Sequence, residues 1–145
     1  MTGRDRQRNL FLQFHNWDKA ILVPLAGDAS NRQYFRLTRG PQNQGALLMD
    51  AEPETNGLQD GFLRMADYLT CAGFSVPRIF AADTLTGFIL LEDFGDALFS
   101  KLAATSPDHE VALYCAAADC LLALHQQPAA DGLAVATPKV LAQMI

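Results

Sequence analysis

The segment Pro24–Leu37, PLAGDASNRQYFRL, leaves the chain little local freedom. An apolar run, Ala20 to Val23, leads into the small and polar residues Ala26, Gly27, Asp28, Ala29, Ser30 and Asn31. Arg32 to Leu37 then alternates. That pattern predicts strand, turn, strand. On the second strand, period two sets Arg32, Tyr34 and Arg36 on one face and Gln33, Phe35 and Leu37 on the other. Small side chains at a hairpin tip leave backbone N–H groups uncovered, a setting that favours anions such as phosphate. The plainer reading is a turn in which Asp28 bonds its own backbone. The loop holds a single glycine, so it is neither a G-x-G-x-x-G nor a Walker loop. The rest of the chain must decide between the two.

At 145 residues the chain suits one compact domain able to bury about two-thirds of its unfolded surface. Hydrophobic residues make up 50% and charged residues 19%, as in an ordinary globular protein. A net charge of −5 argues against nucleic acid or an anionic membrane as partner. Cys71, Cys115 and Cys120 lack any C-x-x-C spacing, which predicts reduced, mostly buried thiols. With His15, His109 and His125 they assemble no zinc motif. The basic N-terminus has no signal-type apolar core and no run approaches membrane-span length, so the default compartment is the cytoplasm.

Leu10, Phe11, Phe14 and Trp17 recur at helical spacing and predict an amphipathic helix over 4–17, with Trp17 as a core anchor. Residues 39–45 form a turn, 46–50 (ALLMD) a third strand, and 51–58 a loop. Phe62, Met65, Ala66 and Leu69 predict a helix over 59–72, with Asp60 as N-cap and Gly73 at its C-terminus. Residues 76–82 read as an edge strand, 83–87 as a turn, and 88–92 (FILLE) as a central strand. After the polar connector Asp93–Asp96 comes a short helix over 97–104. Ser106 and Pro107 then start a longer one running to His125 or Gln127, whose stripe is Tyr114, Ala118, Leu121 and His125. From Pro128 the chain reads as an Ala-rich loop, with another helix beginning at Lys139. The sum is an α+β fold: a small lobe of five mainly antiparallel strands with one inserted helix, then helices too few to complete a second lobe.

This order resembles a protein-kinase-like N-terminal lobe. PLAGDASNRQYFRL (24–37), LLMDA (47–51), LLEDFGD (90–96) and LYCAAADCLLALH (113–125) resemble the aminoglycoside phosphotransferase and choline kinase superfamily. Within it they are most similar to the bacterial cell-wall amino-sugar kinases, which phosphorylate the anomeric position of N-acetylmuramate and N-acetylglucosamine. The resemblance covers essentially the whole chain but only the front of that fold. It implies a nucleotide lobe over 1–92, a hinge over 93–96, and the start of a helical C-terminal lobe over 97–145. It implies ATP as cofactor, with Gly27, Ala29, Ser30 and Asn31 over the phosphates. The main chain around Glu92 and Phe94 would meet the adenine edge, and Val23, Leu25, Leu48 and Ile89 would wall the base.

Kinases place a lysine on the third strand, paired with a helix glutamate. No lysine stands between Lys19 and Lys101, and the third strand carries Met49-Asp50 instead. The expectation is that Arg36 carries the phosphate charge, with Arg32 as second candidate and Asp60 or Asp50 as the acidic partner. The superfamily's H-x-D-x-x-x-x-N loop and its Mg²⁺ ligands are also missing: no His-x-Asp occurs. The chain therefore reads as a truncated kinase that binds nucleotide weakly and is inactive alone. A helix face left without partners would invite dimerisation. An aminoglycoside or choline-type small-alcohol kinase, and a non-catalytic kinase-like module, are the competing readings.

Overall fold

A computed structural model describes residues 2–26, 31–105 and 107–128. Among them the chain divides into two compact units, one comprising 2–93 and the other 94–128. Gly27, Asp28, Ala29 and Ser30, together with Ser106 and the helix expected from Lys139, lie outside the described residues.

The first unit is built on a five-stranded antiparallel sheet: β1 (Ile21–Pro24), β2 (Gln33–Thr38), β3 (Ala46–Asp50), β4 (Ile79–Asp83) and β5 (Phe88–Leu91), in the order β1-β2-β3-β5-β4. The most apolar strand, β5, lies inside the sheet and is wholly buried. Pro24 ends an edge strand, where its missing N–H breaks no ladder between interior strands. Period two divides the sheet cleanly. Phe35, Leu37, Leu48, Phe88 and Leu90 pack on one face with Phe11, Leu12 and Trp17, whereas Tyr34, Met49, Ile89 and Leu91 pack on the other with Phe62 and Leu63. Each fully buried Leu or Phe contributes about 1.5–3 kcal/mol.

Helix α1 (Gly3–Phe14) covers the first face. It opens with a capping box in which Thr2 and Asp5 satisfy each other's backbone N–H groups. It closes with Asn16 in the left-handed region and the Trp17 amide on the Leu12 carbonyl. This Schellman-type stop folds Trp17 back into the core. The buried stripe differs from the expected one. Leu10 and Phe14 are exposed, and the sheet is met by Arg4, Arg8, Phe11 and Leu12. An arginine stem is apolar enough to share such a stripe, and its head can lie on an aromatic ring.

The expected loop over 51–58 contains a single helical turn, α2 (Pro53–Asn56). Helix α3 (Asp60–Cys71) follows. Its N-cap is Gln59, not Asp60, and the Gln59 amide donates to the carbonyls of Asn56 and Gly57. Met65 points outward, while Phe62, Leu63 and Ala66 turn inward. Gly73, with φ +84°, ends the helix in a Schellman arrangement. Gly87 (φ +76°) closes the β4–β5 turn, and its carbonyl accepts the Ala51 amide. A Cβ there would run into the Ala51 carbonyl.

The second unit holds α4 (Phe99–Thr105), a 3-10 turn (Pro107–His109) and α5 (Glu110–His125). No residue of α5 is buried: Tyr114, Leu121 and Leu122 are exposed, and so is His125. The thiols depart from expectation, because Cys71, Cys115 and Cys120 are all exposed. Helical spacing groups residues on a face but does not say that the face is covered. Among the described residues no helix is long and apolar enough to cross a membrane.

Candidate functional site

The sheet face that carries Tyr34 and Met49 also carries Arg36. Register sets Arg36 opposite Val23 on β1 and Leu47 on β3, and Leu47 opposite Leu91 on β5. One row of side chains therefore crosses the sheet as Val23, Arg36, Leu47 and Leu91. Val23 is exposed and Leu47 half-buried. Leu48, expected beside them, lies on the opposite face and is completely buried under α1. Strand parity puts Leu47, rather than Leu48, on the face of Arg36. Ile89 lies on the face of Tyr34 and Met49 and is fully buried, and Leu25 follows β1 with its amide on the Tyr34 carbonyl.

Arg36 does not reach Asp60 or Asp50. Its Nε donates to Asp93 Oδ2 at 2.6 Å and its Nη2 to Oδ1 at 3.2 Å, a side-on fork between β2 and the segment leaving β5. The pair is largely sheltered, with side-chain exposures of 26% and 15%. Asp93, placed by the sequence in the polar connector, is the acidic partner. Such a contact is invisible locally because the partners are separated by 57 positions and meet only through the strand order.

Glu92 is anchored on both sides. Its amide donates to the Arg78 carbonyl, and its carboxylate accepts the Arg78 amide. A ligand edge meeting Glu92 would thus use its carbonyl. Phe94 belongs to the second unit and is exposed. Arg32 is half-buried, immediately before β2. Asn31 is exposed and borders a small polar cleft of about 70 Å³ with Arg4, Gln33, Asp50, Glu52 and Thr55. Gly27, Ala29 and Ser30 lie outside the described residues.

The sequence reading missed the group that occupies Asp50. Arg4 Nε donates to Asp50 Oδ1 at 2.8 Å, its Nη2 makes a closer contact with the same oxygen, and Arg8 Nη1 lies 3.7 Å from Oδ2. Arg4 also lies over the Phe88 ring and donates to the Thr86 carbonyl. The signal was present as Arg4 and Arg8, spaced i, i+4 in step with Phe11 and Leu12.

Asp83 accepts from the Thr86 hydroxyl and from the Thr86 and Leu85 amides. The Thr86 hydroxyl is the main reason its carboxyl titrates below its ordinary value of 3.8. Asp5 is lowered likewise, chiefly by the Thr2 backbone N–H. Among the described residues no group of three His, Cys, Asp or Glu side chains is gathered to hold a metal ion.

A family model, the APH phosphotransferase enzyme family, matches residues 21–143. A protein of Caulobacter vibrioides named N-acetylmuramate/N-acetylglucosamine kinase is 33% identical over 166 aligned positions, covering 97% of this chain and 43% of that protein. Proteins of the same name from Pseudomonas aeruginosa and Pseudomonas putida are 36% and 31% identical, over 74% and 86% of this chain and 30% and 36% of theirs. The chain thus spans less than half the length of each of these relatives.

Proposed function

Because the chain belongs to the phosphotransferase enzyme family, we propose that it forms the nucleotide-binding front part of an ATP-dependent kinase. Its acceptor would be a hydroxyl of an amino sugar of the N-acetylmuramate or N-acetylglucosamine type. The acceptor rests on the names of relatives 31%, 33% and 36% identical to this chain. The nucleotide rests on one observation: a charged fork, Arg36–Asp93, stands in a row of apolar residues on one sheet face, beside the main chain leaving β5. Gly27, Ala29, Ser30, Asn31 and Arg32 would serve the phosphates. Arg36 and the main chain at Glu92 and Phe94 would serve the rest of the nucleotide.

Kinases of this kind use Mg²⁺ to neutralise charge on the transferred group. The described residues gather no ligand set for it, so none is assigned to the metal. No His-x-Asp stands in these 145 residues either. Binding without turnover is the behaviour proposed for them alone, in the cytoplasm where ATP is available.

A thermal-shift titration with Mg-ATP tests the nucleotide half. Stabilisation is expected, and none at millimolar ATP would refute it. Phosphorylation assays on a protein carrying this chain, with N-acetylmuramate, N-acetylglucosamine, an aminoglycoside and choline, test the acceptor. Preference for either of the last two would replace the sugar and leave the nucleotide half standing.

A further inference from the structure

We infer that Arg36 and Asp93 are a positioning pair for the base of the nucleotide, setting which purine the site prefers, and that Arg36 is not a phosphate ligand. The inference rests on the nucleotide reading above and deepens it. Three observations carry it.

The first is register. Strand β2 begins at Gln33, immediately beyond the expected phosphate turn. Arg36 lies three residues further on, about 10 Å at strand rise. Two rows of side chains cross this face. The row nearer the turn is Tyr34, Met49 and Ile89; Arg36 belongs to the other, with Val23, Leu47 and Leu91. The second is direction. The Nε and Nη2 edge of the guanidinium is committed to the two oxygens of Asp93, so the head is drawn toward the segment leaving β5. The third is what that segment does. Glu92 is held by Arg78 through both its amide and its carboxylate, and Asp93 is held by Arg36. The first anchor holds the Glu92 main chain directly, and the second holds the Asp93 side chain and restrains the neighbouring peptide planes through it. A base edge read by main-chain hydrogen bonds requires those peptide planes to be fixed before it arrives. A planar fork can impose such an orientation and an ammonium cannot.

Lysine at position 36 therefore separates the two roles, because it keeps the charge that a phosphate would need and loses the fork. The experiment measures displacement of N-methylanthraniloyl-ATP by ATP, AMP, GTP and tripolyphosphate. It compares the unaltered protein with Arg36→Lys, Asp93→Asn and the exposed control Arg64→Ala, each checked for native circular dichroism. Arg36→Lys and Asp93→Asn are expected to weaken ATP and AMP by the same factor, on the order of 10-fold. They should narrow the ratio between ATP and GTP, and leave tripolyphosphate unchanged; Arg64→Ala should alter none of the four. Wild-type affinity in Arg36→Lys would overturn the inference. So would losses that grow from AMP to ATP together with weaker tripolyphosphate, or an unaltered protein that binds ATP and GTP equally. In all three cases the nucleotide reading survives. Absence of any nucleotide binding by the unaltered protein would instead overturn that reading and, with it, this one.

Discussion

Two arginine–aspartate constellations lie on opposite faces of one sheet, and they are different objects. Under α1, the Asp50 side chain is 6% exposed, two arginines converge on it, and their heads lie on the rings of Phe88 and Phe35. That cluster is roofed by a helix and fills space as much as it balances charge. On the other face Arg36 and Asp93 form a side-on fork with more access to water. Chemistry alone therefore does not rank an ion pair. Desolvation makes the first costly to break, because removal of one partner leaves an uncompensated buried charge, while partial hydration softens the loss of the second. A group that must meet a ligand has to be of the second kind.

The contrast can be broken in order of expected effect. Asp50→Ala should cost about 3 kcal/mol in chemical denaturation, since the half-buried Arg4 would lose its carboxylate while Arg8 keeps Asp5. A cost near zero would make the cluster a surface feature. Gly87→Ala should cost about 3 kcal/mol, from a left-handed φ and a clash with backbone. The clash is with the Ala51 carbonyl, and the Ala51 amide ties the β4–β5 turn to the end of β3 beside Asp50. Arg36→Ala should cost less than Asp50→Ala, about 1–2 kcal/mol, because the fork is sheltered but partly open to water. A loss as large as that of Asp50→Ala would mean that the two faces are equally structural. Leu121→Asp, on the exposed face of α5, should stay within about 0.5 kcal/mol of the unaltered protein.

Acid supplies a further test. The folded pKa values of Asp83 and Asp5 lie below their ordinary value of 3.8. The unfolded chain therefore binds protons first, and the stability these carboxylates contribute is present above that value and lost as pH falls through the folded one. Asp83→Asn should lower the neutral plateau and flatten the acid limb below about pH 4, so that the variant and the unaltered protein converge in acid. An unaltered limb would show that the Thr86 hydroxyl bond contributes nothing to the folded state.

Much of the lobe was legible locally. The alternation over 32–37, the run 46–50 and the apolar 88–91 appear as β2, β3 and β5, because strand period and burial are written in consecutive residues. Element faces were less legible. Leu10 and Phe14 are apolar yet exposed, while Arg4 and Arg8 turn inward. An apolar stripe can be completed by arginine stems that hydropathy counts as polar. Leu48, expected as a wall of the base slot, lies on the α1 face for a related reason. Two adjacent leucines carry no mark of which one faces α1.

The sequence by itself determined the element order, the strand period and the family, because each is carried by neighbouring residues or by short motifs. Tertiary structure alone decided that Asp93 takes Arg36 and that Asp50 takes Arg4 and Arg8. Those pairings depend on strand order, on register and on which face a helix covers. A one-residue slip in any strand would exchange every partner while leaving the local pattern intact.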